Sequence, residues 1–344
     1  MRYVIVGAGA VGGTIGARLH ESGHEVVLVA RGSHGAALAE RGLRFASPAG
    51  AVTLRVPVAA GPGELSLRPG DVLVMAVKAQ DAVAALDTWA WQPVAGGGVA
   101  AQTLPVCCAQ NGVAGERMAL RRFRHVYGMC VWLPATHLEP GLVEAQGAPK
   151  TGLLPVGRYP AGADETARQI AADLADSTFL APVSEDVMHY KYGKLLSNLG
   201  NAVEAVFGPA PGPSASADGG ADANAAAAAE LSSRARQEGE AVLAAAGIGH
   251  MERGELAELG RDQVRIEPVS GVRRSGGSSW QSLTRGTGSI EADYLNGEIV
   301  LLGREHGVAV PVNELLQRLA NQFAAERRAP GSITPGEMAA LMAA

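Results

Sequence analysis

The chain has 344 residues, which favours two domains because single hydrophobic cores rarely grow beyond about 250–300 residues. Its net charge of −5 and the lack of a long basic run argue against nucleic acid or an anionic membrane surface as the main partner. Its three cysteines, Cys107, Cys108 and Cys130, lack metal-ligand spacing, so we expect core thiols, no metal site and a reducing, cytoplasmic location. We also expect no leader and no membrane-spanning segment, because the chain starts on a strand-like run and has no long apolar stretch.

The first thirty residues predict a dinucleotide-binding unit. The strand-like run RYVIV leads into GAGAVGG, a helical stretch follows at residues 14–22, and a second strand follows at residues 25–30. This context supports the pattern G-x-G-x-x-G, in which glycines permit the turn, the approach of a pyrophosphate and close helix packing. The predicted binding turn comprises Gly7, Gly9, Ala10, Val11 and Gly12.

The end of the second strand indicates which cofactor binds. NAD sites place an acidic residue there for the ribose hydroxyls, whereas this chain has Ala30 and Arg31. A guanidinium can pair with a 2′-phosphate, so we favour NADP(H) over NAD(H). An ordinary surface arginine is the alternative interpretation of Arg31.

Two further predicted strands deliver polar residues to the ligand-binding edge of a parallel sheet. Residues 71–77 read as a buried strand followed by Lys78, and residues 104–109 as another followed by Gln110 and Asn111. Ligands bind at the carboxyl ends of strands in open α/β sheets, so Lys78 and Asn111 are candidate cofactor-site residues. Strands are also predicted at 126–134, 142–146 and 152–157, a helix at 164–177 and a last strand at 179–183.

The pattern becomes mostly helical from Ser184, so we predict domains at residues 1–183 and 184–344. The segment KLLSNLGNAVE, Lys194–Glu204, reads as one helix with Lys194, Asn198 and Asn201 on one face. That face suits a polar ligand, although a solvated helix surface is the alternative. Later residues predict loops at 209–222 and 275–279 and helices at 225–246, 290–306 and 311–327.

Several blocks together resemble the ketopantoate reductase (2-dehydropantoate 2-reductase) family across nearly the whole chain. They are GAGAVGG, VKAQD at residues 77–81, QNG at 110–112, KLLSN at 194–198, and SSWQSL followed by IEADYLNGE up to residue 298. The resemblance implies an N-terminal Rossmann domain and an all-α C-terminal domain of the 6-phosphogluconate-dehydrogenase type. It also implies NADPH-dependent reduction of the 2-oxo acid 2-dehydropantoate to pantoate, with a homodimer left open.

The resemblance also implies roles for individual residues. Lys194 falls on the catalytic lysine, which protonates the developing alkoxide, and Glu291 falls on its acidic partner. Lys78 and Asn111 fall on residues at the nicotinamide end, with Asn111 also near the substrate. Substrate-binding candidates are Asn198, Ser279 and, from helical periodicity alone, Asn201.

One departure leaves the substrate open. The family commonly has a second asparagine eight residues after the lysine, where this chain has Ala202 beside Asn201. A paralogous reductase of another 2-oxo acid is therefore an alternative. A non-catalytic NADP-binding sensor is a further alternative, which the joint presence of Lys194, Asn198, Ser279 and Glu291 argues against.

Overall fold

The computed structural model describes residues 1–208, 219–270, 276–333 and 337. The chain forms two compact units: Met1–Lys194 with His250–Arg274, and Leu195–Gly249 with Ser275–Ala344. The domain boundary predicted between residues 183 and 184 falls just before the helix Val187–Asn198. The first segment of the first unit ends within that helix, at Lys194. Among the described residues, no helix combines the length and apolar character needed to cross a membrane.

Strands and helices are mixed along the first unit. The strands are β1 (Arg2–Val6), β2 (Glu25–Val29), β3 (Leu43–Ser47), β4 (Gly50–Leu54), β5 (Val58–Ala59), β6 (Asp71–Met75), β7 (Pro105–Cys108), β8 (His125–Met129), β9 (Ala135–Thr136), β10 (Leu142–Ala145), β11 (Gly147–Pro149), β12 (Val156–Arg158) and β13 (Val264–Ile266).

The helices occur in both halves of the chain and dominate the second half. They are α1 (Ala10–Glu21), α2 (Gly32–Arg41), α3 (Ala82–Ala90), α4 (Ala100–Thr103), α5 (Ala114–Leu120), α6 (Glu165–Asp176), α7 (Val187–Asn198), α8 (Asn201–Phe207), α9 (Gly219–Ala245), α10 (Arg253–Glu258), α11 (Ser278–Thr284), α12 (Asn296–His306) and α13 (Pro311–Ala325). Short 3-10 turns lie at Pro62–Glu64, Ala79–Asp81, Arg261–Gln263 and Glu291–Tyr294.

The first unit is built on a seven-stranded sheet in the order β12-β8-β7-β6-β1-β2-β5. All neighbours pair in parallel except β12 with β8. In the register, Val6 lies opposite both Val29 and Met75, so β1, β2 and β6 end at the same edge. The prediction of an N-terminal Rossmann-type sheet is therefore confirmed, and its ligand-binding edge lies after these three residues.

Successive side chains of the central strand pack into different cores. Tyr3 and Ile5 belong to one buried cluster, whereas Val4 and Val6 belong to another. This alternation follows from the two-residue period of a strand that is covered on both faces. It explains why residues 3–6 read as a continuous apolar run rather than an alternating one.

Two predicted strands behave differently from expectation. The strand predicted at 142–146 is β10, which lies outside the large sheet in a four-stranded sheet of order β4-β3-β10-β9. The last strand predicted at 179–183 is wrong as a full strand, because this segment makes only isolated parallel bridges, Leu180 to Leu153 and Val183 to Val156. Bridges of one residue each do not sustain a ladder.

The second unit is helical, as predicted, and polar side chains hold its helices together. Asn313, fully buried in α13, donates through Nδ2 to the Ala235 carbonyl and to the Glu238 carboxylate of α9. Glu238 also accepts from the backbone N–H groups of Val312 and Asn313, which begin α13. Because a helix leaves its first N–H groups unsatisfied, this carboxylate caps α13 and joins it to α9.

The single helix predicted at Lys194–Glu204 is wrong, because α7 ends at Asn198 and α8 begins at Asn201. The Leu199 carbonyl accepts a hydrogen bond from Asn296 Nδ2 at 3.1 Å, which replaces a partner within a continuous helix. Lys194 and Asn198 keep their four-residue spacing on α7, while Asn201 lies on the next helix. Helical periodicity therefore does not place Asn201 on the face of Lys194 and Asn198.

The predictions for the remaining segments also need correction. The helix predicted at 290–306 is interrupted by Leu295, whose φ of −115° and ψ of −88° separate a 3-10 turn from α12. The loop predicted at 209–222 overlaps α9, which begins at Gly219, and residues 209–218 lie outside the described residues. The loop predicted at 275–279 overlaps α11, which begins at Ser278.

Candidate active site

The glycine turn joins β1 to α1 in a shape that excludes larger residues at two positions. Gly7 has a φ of +101°, and a Cβ there would lie 2.8 Å from the Val77 nitrogen. A Cβ on Gly12 would lie 2.1 Å from the Gly7 carbonyl oxygen. At Gly9, in contrast, the nearest atom to an added Cβ is His137 Cδ2 at 3.9 Å. Gly9 therefore leaves open space at the start of α1, with Ala10 and Val11 in its first turn.

A cavity of about 440 Å³ opens beside this turn, entirely within the first unit. Its lining includes Gly7, Gly9, Arg31, His34, Asp81 and His137. Helix α1 directs its unsatisfied first N–H groups toward its own start, which suits an anion. The cavity thus brings together the predicted turn and the predicted cofactor-selecting arginine.

Arg31 lies between β2, which ends at Val29, and α2, which begins at Gly32. It has an extended backbone as the N-cap residue of α2, and its side chain is exposed while lining the cavity. Ala60 and Pro62 line the same cavity. This position suits a guanidinium that meets a phosphate at the rim, and the role of Arg31 stays a prediction.

His34 is a cavity residue that the sequence analysis missed. Its Nδ1 accepts from the Gly141 N–H at 2.9 Å, so the ring proton must lie on Nε2, which donates to the Ala8 carbonyl at 2.8 Å. Burial lowers the pKa of His34, in spite of the opposing hydrogen bond to Ala8. The His34 ring lies 4.2 Å from that of His137. The neutral His34 imidazole therefore holds the carbonyl of Ala8, which lies between Gly7 and Gly9 in the glycine turn.

The loops that carry Lys78 and Asn111 are tied together by Gln110. Gln110 Nε2 donates to the Val77 carbonyl at 3.0 Å, which joins the residue before Asn111 to the residue before Lys78. Both Lys78 and Asn111 are half-buried, and Lys78 begins the 3-10 turn Ala79–Asp81. The structure therefore brings these two predicted residues onto neighbouring, linked loops.

A buried ion pair lies behind the Asn111 loop, and the sequence analysis missed it. Lys191 Nζ donates to the Glu116 carboxylate and, at 3.1 Å, to the Gln110 carbonyl. Burial would lower the pKa of Lys191, but the Glu116 carboxylate and other nearby groups raise it overall. The Glu116 carboxylate therefore favours the charged form of Lys191, which lies one helical turn before Lys194.

Lys194 itself is half-buried, and its ammonium lies over the Trp132 ring, 3.8 Å from the ring centroid. A cation over an indole face is attracted by the electron-rich ring, by roughly 0.5–2 kcal/mol. Arg261 approaches the same ring at 5.9 Å. Trp132 thus fixes where the Lys194 ammonium lies, a contact that no sequence motif indicates.

The remaining predicted residues lie in the second unit, beginning with Asn198, the last residue of α7. The Asn198 side chain is buried, and its Nδ2 has no hydrogen-bond acceptor among the described residues. A buried amide donor of this kind costs free energy unless a ligand oxygen or water meets it. This observation is consistent with the predicted substrate role of Asn198.

Asn201 and Glu204 meet the start of α11, the helix that carries Ser279. Asn201 Nδ2 lies 3.4 Å from Ser278 Oγ, and the Glu204 carboxylate accepts from the Gly277 N–H at 2.7 Å. Ser279 is 3% exposed. The contacts of Asn201 therefore support the helix that holds Ser279, while its own substrate role stays a prediction.

Glu291 is likewise 3% exposed and begins the 3-10 turn that precedes α12. Burial lowers the pKa of Arg285, and the negative charge of Glu291 opposes that shift, which places the two charges within electrostatic reach.

The described part of the chain contains no group of three or more His, Cys, Asp or Glu side chains arranged to hold a metal ion.

Comparison with known proteins gives consistent matches along the chain. The sequence model described as Ketopantoate reductase PanE/ApbA matches residues 3–158, and the one described as Ketopantoate reductase PanE/ApbA C terminal matches residues 186–324. A protein of Caulobacter vibrioides named 2-dehydropantoate 2-reductase is 30% identical over 93% of this chain and 98% of its own.

Solved structures match over a similar extent. A PanE/ApbA family ketopantoate reductase from Ralstonia eutropha superposes with a TM-score of 0.74 and 25% identity, covering 95% of this chain and all of that one. D-mandelate dehydrogenase, solved with NADH and anilino(oxo)acetate, superposes with a TM-score of 0.76 at 21% identity, covering 95% of this chain and 99% of that one.

Proposed function

The chain belongs to the ketopantoate reductase family, and from that premise we propose that this oxidoreductase reduces 2-dehydropantoate to pantoate with NADPH, using Lys194 as the general acid. The observation that carries the proposal is the cavity of about 440 Å³, which the glycine turn and Arg31 line together. Family membership speaks against the sensor alternative. A cytoplasmic location and a homodimeric state remain predictions, to be tested by cell fractionation and analytical ultracentrifugation.

The choice of NADPH rests on the end of β2. Ala30 and Arg31 occupy the position where an acidic residue would hold the ribose hydroxyls of NAD, and both line the cavity. Arg31 is exposed at the cavity rim, where its planar guanidinium can meet a 2′-phosphate with two parallel hydrogen bonds. Asp81 also lines the cavity, so the preference between NADPH and NADH depends on whether Arg31 or Asp81 contacts the ribose.

The residues of this chain supply the proton and the binding groups. When bound, reduced nicotinamide supplies the hydride. The Lys194 ammonium, positioned by Trp132, stabilises negative charge on the carbonyl oxygen and then gives it a proton. Asn198 Nδ2 is a buried donor suited to a carboxylate or hydroxyl oxygen.

We assign the supporting roles from the family resemblance. Ser279 binds the substrate carboxylate and Glu291 orients Lys194 or accepts from a substrate hydroxyl. Lys78 and Asn111, which lie on linked loops, hold the nicotinamide ribose end. The burial of Ser279 and Glu291 is consistent with groups that act on a ligand out of water.

Ala202 favours one second candidate, a reductase of another 2-oxo acid. Ala202 is 2% exposed on α8, at the position where the family commonly has an asparagine. An amide lost from a substrate-binding surface removes a hydrogen bond and changes which substrates are preferred.

Steady-state NADPH oxidation with 2-dehydropantoate and a panel of branched and hydroxylated 2-oxo acids separates the two candidates. The proposal expects 2-dehydropantoate to have the highest kcat/KM, and expects NADPH to be used in preference to NADH. A higher kcat/KM for another 2-oxo acid would support the second candidate. Absence of NADPH oxidation with every 2-oxo acid would refute both.

A further inference from the structure

The ion pair of Lys191 and Glu116 lies deep in the first unit and has no part in the chemistry described above. The Lys191 side chain is 2% exposed and the Glu116 side chain is 0% exposed. Burying two charges removes their hydration, and their mutual attraction only partly offsets that cost, so such pairs add little net stability. Burial raises the pKa of Glu116, and the neighbouring ammonium of Lys191 opposes that shift. Its Oε2 has no hydrogen-bond partner among the described residues. The pair therefore calls for a reason beyond stability.

The contacts of Lys191 indicate that reason. Besides Glu116, its ammonium donates to the carbonyl of Gln110 at 3.1 Å. A peptide unit is planar, so a hydrogen bond that holds the Gln110 carbonyl also fixes the plane of the peptide that leads into Asn111. Gly112 follows with a φ of +77°, a turn that glycine adopts without strain.

Gln110, which Lys191 holds, also binds the loop that carries Lys78. Gln110 Nε2 donates to the Val77 carbonyl at 3.0 Å, and Val77 directly precedes Lys78. Lys191 also lies three residues before Lys194, so it belongs to the neighbouring turn of the same helix face. One buried ammonium thus connects α7 with the loops after β6 and β7.

We propose that Lys191, held in place by Glu116, is a positioning residue that sets the orientation of the Asn111 and Lys78 loops at the nicotinamide end of the cofactor site. The inference rests on the proposed function for what those loops bind. The pair acts through Gln110, and neither Lys191 nor Glu116 touches a reacting atom.

The test uses the double variant Lys191→Met/Glu116→Leu. Removing one partner alone would leave a buried charge, whereas apolar replacement of both preserves the packing. Two ligands are titrated by fluorescence: NADPH, and adenosine 2′,5′-bisphosphate, which carries only the adenosine half of the cofactor. The variant is expected to bind NADPH about tenfold more weakly and the bisphosphate unchanged. Lys150→Met, a change far from these loops in the sequence, serves as a control and is expected to alter neither affinity.

A loss of affinity that is equal for the two ligands, or no loss for either, overturns the proposal. Glu116→Gln covers the case in which the double variant fails to fold: it removes the counter-charge, but its amide oxygen still accepts from Lys191, so the buried ammonium keeps its hydrogen-bond acceptors. That variant is expected to bind NADPH about threefold more weakly, again without change for the bisphosphate. Because binding needs no turnover, an enzyme that binds NADPH but does not reduce 2-dehydropantoate contradicts the proposed function and leaves this test valid.

Discussion

Replacing Gly9 and Gly12 with alanine, one at a time, separates cofactor binding from folding. The two glycines lie three residues apart in the same turn, but their surroundings differ. An added Cβ at Gly9 finds His137 Cδ2 at 3.9 Å as its nearest neighbour, an ordinary contact. At Gly12 the added Cβ meets the Gly7 carbonyl oxygen at 2.1 Å and Ala76 Cβ at 2.8 Å, which leaves no room for it.

The expected magnitudes follow from this geometry. Gly9 has a φ of −72° and a ψ of −155°, which alanine adopts without strain, so the free energy of unfolding should change by no more than about 1 kcal/mol. The new methyl group would occupy space where a pyrophosphate approaches the backbone, and we expect about 100-fold weaker NADPH binding, or about 2.7 kcal/mol. Gly12→Ala forces backbone to move and should lower the free energy of unfolding by about 3 kcal/mol or more.

Urea unfolding without cofactor and NADPH titration by fluorescence measure both effects. Gly254→Ala is the matched control, because an added Cβ there meets nothing within 4 Å and Gly254 lies in α10, away from the cavity. The control should keep the stability and the NADPH affinity of the parent protein. Wild-type NADPH affinity in Gly9→Ala, or wild-type stability in Gly12→Ala, would refute this account of the turn.

Three further measurements test other parts of the site. Arg31→Ala should weaken NADPH binding at least tenfold and leave NADH binding unchanged, with Arg41→Ala on the same helix as a control; equal effects on both cofactors would count against a 2′-phosphate contact. Because the pKa of His34 is lowered, the unfolded state binds more protons below about pH 6.5, so the free energy of unfolding should fall from pH 7 to pH 5. His34→Gln should flatten that fall in urea unfolding, and an unchanged slope would contradict it. Burial raises the pKa of Cys107 and Cys130 to about 12 and that of Cys108 well above its usual value. A chromogenic disulfide reagent at pH 8 should therefore label none of these thiols in the native protein and all three in urea.

Local signals in the sequence predicted the first unit well. The glycine pattern and both flanking strands fall within about thirty residues, and each constrains the backbone where it occurs. The predicted strand ends also led correctly to the loops of Lys78 and Asn111. Parallel strands that end in register bring such loops together whatever lies between them in the sequence.

The contacts that the sequence did not predict join residues far apart in the chain. At the break after α7, the Leu199 carbonyl accepts a hydrogen bond from Asn296, which is 97 residues away in the chain. The partners Lys191 and Glu116 are 75 residues apart, and His34 and Gly141 are 107 apart. Helical periodicity considers one segment by itself, so it cannot predict a hydrogen bond from an amide on another element. For the same reason it predicts Asn201 on the helix face of Lys194 and Asn198, although α7 ends at Asn198.

The role of Lys194 as general acid is tested by NADPH oxidation with 2-dehydropantoate, measured for the wild-type protein, Lys194→Ala and Lys194→Arg. Arginine keeps a cation beside Trp132 but does not give up its proton, so it separates charge from proton donation. We expect the wild-type protein to turn over, kcat to fall roughly 10²–10⁴-fold in both variants, and the NADPH affinity of both to stay within about twofold of wild type. Near-normal kcat in either variant would contradict Lys194 as the general acid.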